Sequence, residues 1–146
     1  MSAIKIVAMD HIVLNVADVD RSLAFYTEIL GLKSERVEEF KAGTPGIPFP
    51  SVRLNDQMII DLFPIKAENP PTLPPAFDGV GGKVHGNLDH LCFVVEHGNF
   101  EVSVEELKRR GVVIHRGPIS RWGAQGRTMS VYFLDPDGNE VEIRAY

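Results

Sequence analysis

Cysteine is nearly absent from this 146-residue chain: Cys92 stands alone, so no internal disulfide forms and nothing demands an oxidising compartment. No apolar run approaches the ~20 residues that a membrane span needs. The opening Met-Ser-Ala-Ile-Lys-Ile-Val lacks the apolar stretch and cleavage pattern of a secretion signal. Basic clusters are missing too: 15 Lys and Arg face 20 Asp and Glu, for a net charge of −5, which argues against a nucleic-acid surface. What is present is ordinary for a folded protein, with 44% apolar and 24% charged residues, enough to exclude dominant disorder. A cytoplasmic protein that handles a small molecule is the expectation.

The chain repeats itself. Asp10-His11-Ile12-Val13-Leu14-Asn15-Val16 is echoed by Asp89-His90-Leu91-Cys92-Phe93-Val94-Val95. A helical pattern follows each copy. In the first, Asp18 caps it, Val19, Leu23, Tyr26 and Leu30 mark its apolar face, and Gly31 stops it. In the second, Asn99 caps, Phe100, Val104 and Leu107 form the face, and Gly111 stops it. Short β-type runs come next, Leu32 to Phe40 and Val112 to Ile119. Two more strands then close each half: 51–54 with 58–63, and 128–134 with 140–146. The second pair turns at Asp135-Pro136-Asp137-Gly138. His11 and His90 lie 79 positions apart, Gly31 and Gly111 lie 80, and Asp61 and Glu142 lie 81, a drift that small insertions explain.

The expected fold is therefore α+β: two tandem βαβββ modules, 1–63 and 88–146, related by a pseudo-twofold axis, forming a cupped mixed sheet with helices outside. Residues 64–87 join them and hold five of the ten prolines and four of the thirteen glycines, including Gly79-Val80-Gly81-Gly82, together with His85. That segment reads as a linker or lid rather than a phosphate loop, because no helix start follows its glycines.

Parity says what the repeat is for. Alternation along a strand puts Ile12, Leu14 and Val16 against a helix and His11, Val13 and Asn15 on the opposite face. In the same way Leu91, Phe93 and Val95 oppose His90, Cys92 and Val94. Val141 and Ile143 oppose Glu140, Glu142, Arg144 and Tyr146, and Ile60 and Leu62 oppose Ile59, Asp61 and Phe63. Each module thus presents a histidine and a carboxylate away from its helix, a donor set suited to a divalent ion with open positions for substrate. A single strand histidine is more often a hydrogen-bonded structural residue; the matched positions favour the metal reading. Cys92 reads as a small buried apolar residue, His97 and His115 as solvated, Tyr132 as core or pocket, and 101–110 as a solvated helical face with internal ion pairs.

The strand-histidine-helix segment from Asp10 to Gly31, with Phe25-Tyr26 and Leu30-Gly31-Leu32, resembles the vicinal oxygen chelate superfamily. The closing stretch Tyr132-Phe133-Leu134-Asp135-Pro136-Asp137-Gly138-Asn139-Glu140-Val141-Glu142-Ile143 resembles that superfamily's C-terminal motif. Members include glyoxalase I, bleomycin-resistance proteins, fosfomycin-resistance enzymes and extradiol dioxygenases. The resemblance implies His11, His90 and Glu142 as ligands of one divalent ion per site, with Zn, Ni, Mn, Mg and Fe all open. It implies Asp61 as a fourth ligand or a base, Asp61 and Glu142 as proton carriers, and a homodimer whose sites are shared between subunits. Lyase, thiol-transfer and dioxygenase chemistry share that set of ligands, and a non-catalytic drug-binding protein is the alternative. The stretch Gly117 to Arg127 resembles a loop of single-domain glyoxalase-like proteins and nominates Trp122 and Arg127, with Arg53, as pocket residues. Arg53, Arg121 and Arg127 are the available anion-binding cluster.

Overall fold

The computed structural model describes residues 8–65, 88 and 90–146. The expected linker, with His85 and its glycine run, lies outside these residues except for Pro64 and Ile65, as does Asp89. The chain divides into two compact units, Met1–Pro71 and Thr72–Tyr146, each built on its own four-stranded mixed sheet.

In the first unit β1 (His11–Val16) leads into α1 (Val19–Ala24), which continues as one π-helical turn over Phe25–Ile29. Asp18 starts α1 as expected, its carboxylate accepting from the Arg21 N–H at 3.0 Å. Gly31 ends the segment at φ +73°, where a side chain would be strained. β2 (Lys33–Glu35), α2 (Val37–Lys41), β3 (Ser51–Asn55) and β4 (Met58–Pro64) follow. The sheet order is β1-β4-β3-β2, with β1 parallel to β4 and the other pairs antiparallel. α1 packs on β4, and Val16, Tyr26, Val52, Ile60 and Leu62 are fully buried between helix and sheet. Burying such side chains supplies about 1.5–3 kcal/mol each before entropy is counted.

The second unit repeats the order: β5 (Leu91–Val94), α3 (Phe100–Arg109), β6 (Arg116–Gly123), β7 (Gly126–Leu134) and β8 (Glu140–Arg144), arranged β5-β8-β7-β6. Phe100, Val104 and Leu107 of α3 are buried, as are Val131, Phe133, Val141 and Ile143 of the sheet. The outer face of α3 carries the expected ion pairs, Lys108–Glu105 and Arg109 and Arg110 with Glu106. Asp135 shapes the last turn by accepting from the Asp137 and Asn139 N–H groups at 2.9 and 2.8 Å.

Three local expectations are corrected. The run from Leu32 to Phe40 is not one strand: β2 stops after Glu35 because Arg36 turns left-handed at φ 60°, and Val37 and Phe40 fall at helical spacing in α2. The strand expected over Val112 to Ile119 begins only at Arg116 and runs to Gly123, so the stretch from Gly117 to Arg127 is a hairpin closed by Ala124-Gln125 rather than a loop. Asn99 precedes α3 without a side-chain capping bond; its carbonyl instead accepts from the Ser103 N–H and hydroxyl.

Candidate functional site

The second module gathers most of the chemistry on the face away from α3. His90 immediately precedes β5, and Glu142 sits on β8 opposite Cys92. The two meet, with Nε2 of His90 3.0 Å from Oε2 of Glu142. The other carboxylate oxygen is held by Arg144, whose Nε and terminal nitrogen approach Oε1 at 3.1 and 2.8 Å. Arg144 also donates to the Ser130 hydroxyl at 2.9 Å and to the Tyr146 phenol at 3.1 Å, and is 2% exposed. All five residues of β8 are buried, so both of its acids are enclosed. Burial alone would raise the Glu142 pKa. Hydrogen bonds from Ser130 and Arg144, the charge of Arg144 and a bond from Tyr132 outweigh it, and the net shift is downward. Glu142 is held as a carboxylate.

Around this pair Tyr132 is buried, its ring T-shaped to that of His90 and with the Arg116 guanidinium over it, 3.8 Å from the ring centre. Arg116 and His115 both pair with buried Glu140, so His115 is engaged as well as exposed. Cys92 is exposed, against the expectation of a buried apolar role. Burial of the sulfur and the Glu142 charge push its thiol up to about 11, which makes it a poor nucleophile. His97 is exposed and bonds the Tyr146 carbonyl.

The first module builds a different arrangement from the matching strands. His11 is about half exposed, and its Nδ1 contacts Asp10 at 2.6 Å, which raises its pKa. Asp61 is 5% exposed; its Oδ1 accepts the Ser51 hydroxyl at 2.5 Å and meets Arg36 at 3.4 Å. Arg36 also donates to Ser51 at 2.6 Å and lies over the Phe49 ring. Each acid carries a basic partner that strand alternation does not indicate, Arg144 on Glu142 and Arg36 on Asp61. Arg144, two residues beyond Glu142 on the same face, was the readable signal; Arg36, off-strand and left-handed, left none.

Of the proposed pocket residues, Arg53 forks onto Glu35, with one of its two contacts at 3.0 Å, so its charge is already spent across β2 and β3. Trp122, 74% exposed, and Arg127 pair across the β6–β7 hairpin beside its tip. Arg144 reaches that tip because residue 123 is glycine: a Cβ there would lie 1.7 Å from its terminal nitrogen.

Two βαβββ units, each with a histidine at the start of its first strand and a carboxylate on its last, define a class of duplicated small-molecule-binding folds. The chain belongs to the Glyoxalase/Bleomycin resistance protein/Dioxygenase superfamily, whose family model matches residues 8–143. It is 33% identical to the virulence protein STM3117 of Salmonella typhimurium, over 94% of this chain and 83% of that protein. Among solved structures it resembles one from the mobile metagenome of V. pseudocholerae (31% identity, TM-score 0.73, covering 99% of this chain and 98% of that one). A glyoxalase/dioxygenase from Nostoc punctiforme is similar at 29% identity and TM-score 0.70, with the same coverage.

Members of this superfamily generally use a divalent metal, and the donors here suit one. Imidazole nitrogen and carboxylate oxygen are both ligand atoms for such an ion. His90 Nε2 and Glu142 Oε2 bring one of each together, at the 3.0 Å of a direct ion pair. A carboxylate on the other ring nitrogen of a ligating histidine is a usual companion, and Asp10 occupies that place on His11. Among the described residues no three His, Cys, Asp or Glu side chains cluster, so the structure brings His90 to Glu142 without a third donor.

Proposed function

We propose that this protein is a divalent-metal-dependent, glyoxalase-like enzyme acting on a small substrate with vicinal oxygens, with His90, Glu142 and His11 as ligands. The observation that supports it most is the 3.0 Å approach of His90 to Glu142, with the second carboxylate oxygen already fixed by Arg144. A bound ion would act as a Lewis acid toward the substrate oxygens. His90 and Glu142 offer one donor atom each, and Arg144 keeps Glu142 from rotating or protonating. Asp61 is the proton carrier of this reading: Ser51 and Arg36 hold its Oδ1, and Oδ2 is the atom that takes a proton from carbon. Trp122 and Arg127 border the pocket, and Arg53 holds the strand beside it. The same reading carries a homodimer that shares sites between subunits and a cytoplasmic setting. Among the described residues no helix is long and apolar enough to cross a membrane.

The test is elemental analysis joined to a substrate screen over hemithioacetals, epoxides with thiols, and catechols. About one divalent ion per site, lost in His90→Ala and His11→Ala, together with turnover of one class, is the expected result. Metal-free protein that binds aromatic drugs without turnover overturns it. Exposed Val13 and Val94, on the faces of the two histidines, favour that binding-protein reading as the alternative.

A further inference from the structure

We propose that Arg36, set over the Phe49–Phe63 ring pair, is a receptor for the carboxylate of a small aromatic acid, a binding subsite contained within the first module. It needs no ion, so it stands apart from the metal-dependent reading. The starting observation is a strained residue. Arg36 turns left-handed at φ 60°, a region that costs a residue with a side chain stability and is retained where it places a group for use. Pairing with Asp61 does not account for that cost. Ser51 already donates to Asp61 Oδ1 at 2.5 Å, and Arg36 reaches the same oxygen only at 3.4 Å. A single terminal nitrogen of Arg36 makes that contact and the one to the Ser51 hydroxyl at 2.6 Å. Its Nε and other terminal nitrogen meet no acceptor among the described residues, and the side chain is 33% exposed.

The surroundings define the rest of the ligand. The guanidinium lies 5.0 Å from the centre of the Phe49 ring, and Phe49 meets Phe63 with ring centres 5.3 Å apart. Phe63 follows Asp61 by two residues on β4, so ring and acid share a face. Val13, 50% exposed, is the β1 neighbour of Asp61 in the register. Glu35, the residue before Arg36, does not neutralise it, because Arg53 already forks onto that acid. Open guanidinium N–H groups beside two phenyl rings and a valine match a carboxylate carried on a flat apolar body. Charge-assisted hydrogen bonds hold the anion, and the rings take the body. A neutral ligand of the same shape gains only the second part.

Titration of the full chain, treated with a chelator and followed by amide NMR shifts, tests this with two probes that share a ring, benzoate and neutral benzyl alcohol. Wild type is expected to bind benzoate at least about tenfold more tightly, with shifts centred on β1, β4, Arg36 and Phe49. Arg36→Gly removes the guanidinium and suits the left-handed backbone, so the fold is kept. It is expected to cut benzoate affinity at least about tenfold and to leave benzyl alcohol nearly unchanged. Phe49→Leu, which keeps the arginine, weakens both probes together. Failure of wild type to prefer benzoate, or benzoate shifts centred on the second module, overturns the inference. So does undiminished benzoate binding by Arg36→Gly, or wild-type affinity for both probes in Phe49→Leu. Zinc uptake by untreated protein decides the metal reading separately, since neither titration involves an ion.

Discussion

Removing the Glu142 side chain is expected to destabilise the second module far more than loss of a surface acid would. Glu142→Ala leaves Arg144 with 2% exposure and without its anion. Breaking a buried pair from one side costs about 3–5 kcal/mol, because the stranded charge has lost both water and partner. Ser130 and Tyr146 still accept from the guanidinium, which sets the expectation at the lower end, about 3 kcal/mol. Against a total of about 5–15 kcal/mol for a domain, that is a large fraction. Removing both charges with Glu142→Leu and Arg144→Met together leaves no orphan, and is expected to cost under about 2 kcal/mol, well below the sum of the single changes. Urea unfolding of metal-free protein at neutral pH, followed by circular dichroism, measures the four corners of that cycle (wild type, Glu142→Leu, Arg144→Met and the double variant) with Glu142→Ala beside them. If Glu142→Ala lies within about 1 kcal/mol of wild type, or the single costs simply add, Arg144 is not paired as described. The result also decides how Glu142 variants are used in activity work, since Glu142→Gln, which keeps an acceptor, is the safer probe of chemistry.

Two further outcomes follow from the same face. The Glu142 pKa is lowered from its ordinary 4.5 although burial pushes upward, because Ser130 and Arg144 favour the ionised form. The stability this contributes is present above about pH 4.5 and is lost as pH falls through the lower, folded value. Urea midpoints of wild type should therefore drop below pH 4.5 more steeply than those of Glu142→Gln; parallel curves would refute the assignment. Cys92, with its thiol pushed up to about 11, should alkylate slowly despite its exposure. At pH 8 its thiolate fraction is about a hundredfold below that of an ordinary thiol, and the higher intrinsic nucleophilicity of a basic thiolate returns roughly tenfold of that. A reaction with iodoacetamide about tenfold slower than an exposed peptide cysteine is expected, and an equal rate contradicts it.

The duplicated architecture was legible because its signals are local and strong. Asp18 and Gly31 bracket a helix by side-chain and backbone chemistry that needs no tertiary context, and Asp135-Pro136-Asp137-Gly138 makes its turn from its own groups. The boundaries that failed depend on one residue each. Arg36 is not a glycine, yet it turns left-handed, where its guanidinium meets Ser51 and Asp61. β6 is largely exposed and polar, so its alternation is faint, and the signal that survives is the Gly123-Ala124-Gln125-Gly126 turn. At the site, parity placed the histidines and acids correctly by face. It could not reveal that both faces of β8 are buried, because Glu140, Glu142 and Arg144 look like solvated residues until the partner of each is seen.

That concealment explains how the two modules have come to differ. Both keep a histidine at the start of the first strand and an acid on the last, and both set a basic residue and a hydroxyl beside the acid. In the second module the arginine comes from the same strand as the acid and approaches one oxygen, leaving the other to His90. In the first, the arginine comes from beyond β2, the hydroxyl lies closer to the carboxylate than the guanidinium does, and the acid is one methylene shorter. Both acids are buried, Asp61 at 5% and Glu142 at 3% exposure, so the copies differ in partners: a hydroxyl and an arginine at Asp61, an arginine and a histidine at Glu142. On the reading proposed above, the acid paired with a histidine serves as ligand and the acid held by a hydroxyl serves as base, a division of labour that an exact repeat would not provide.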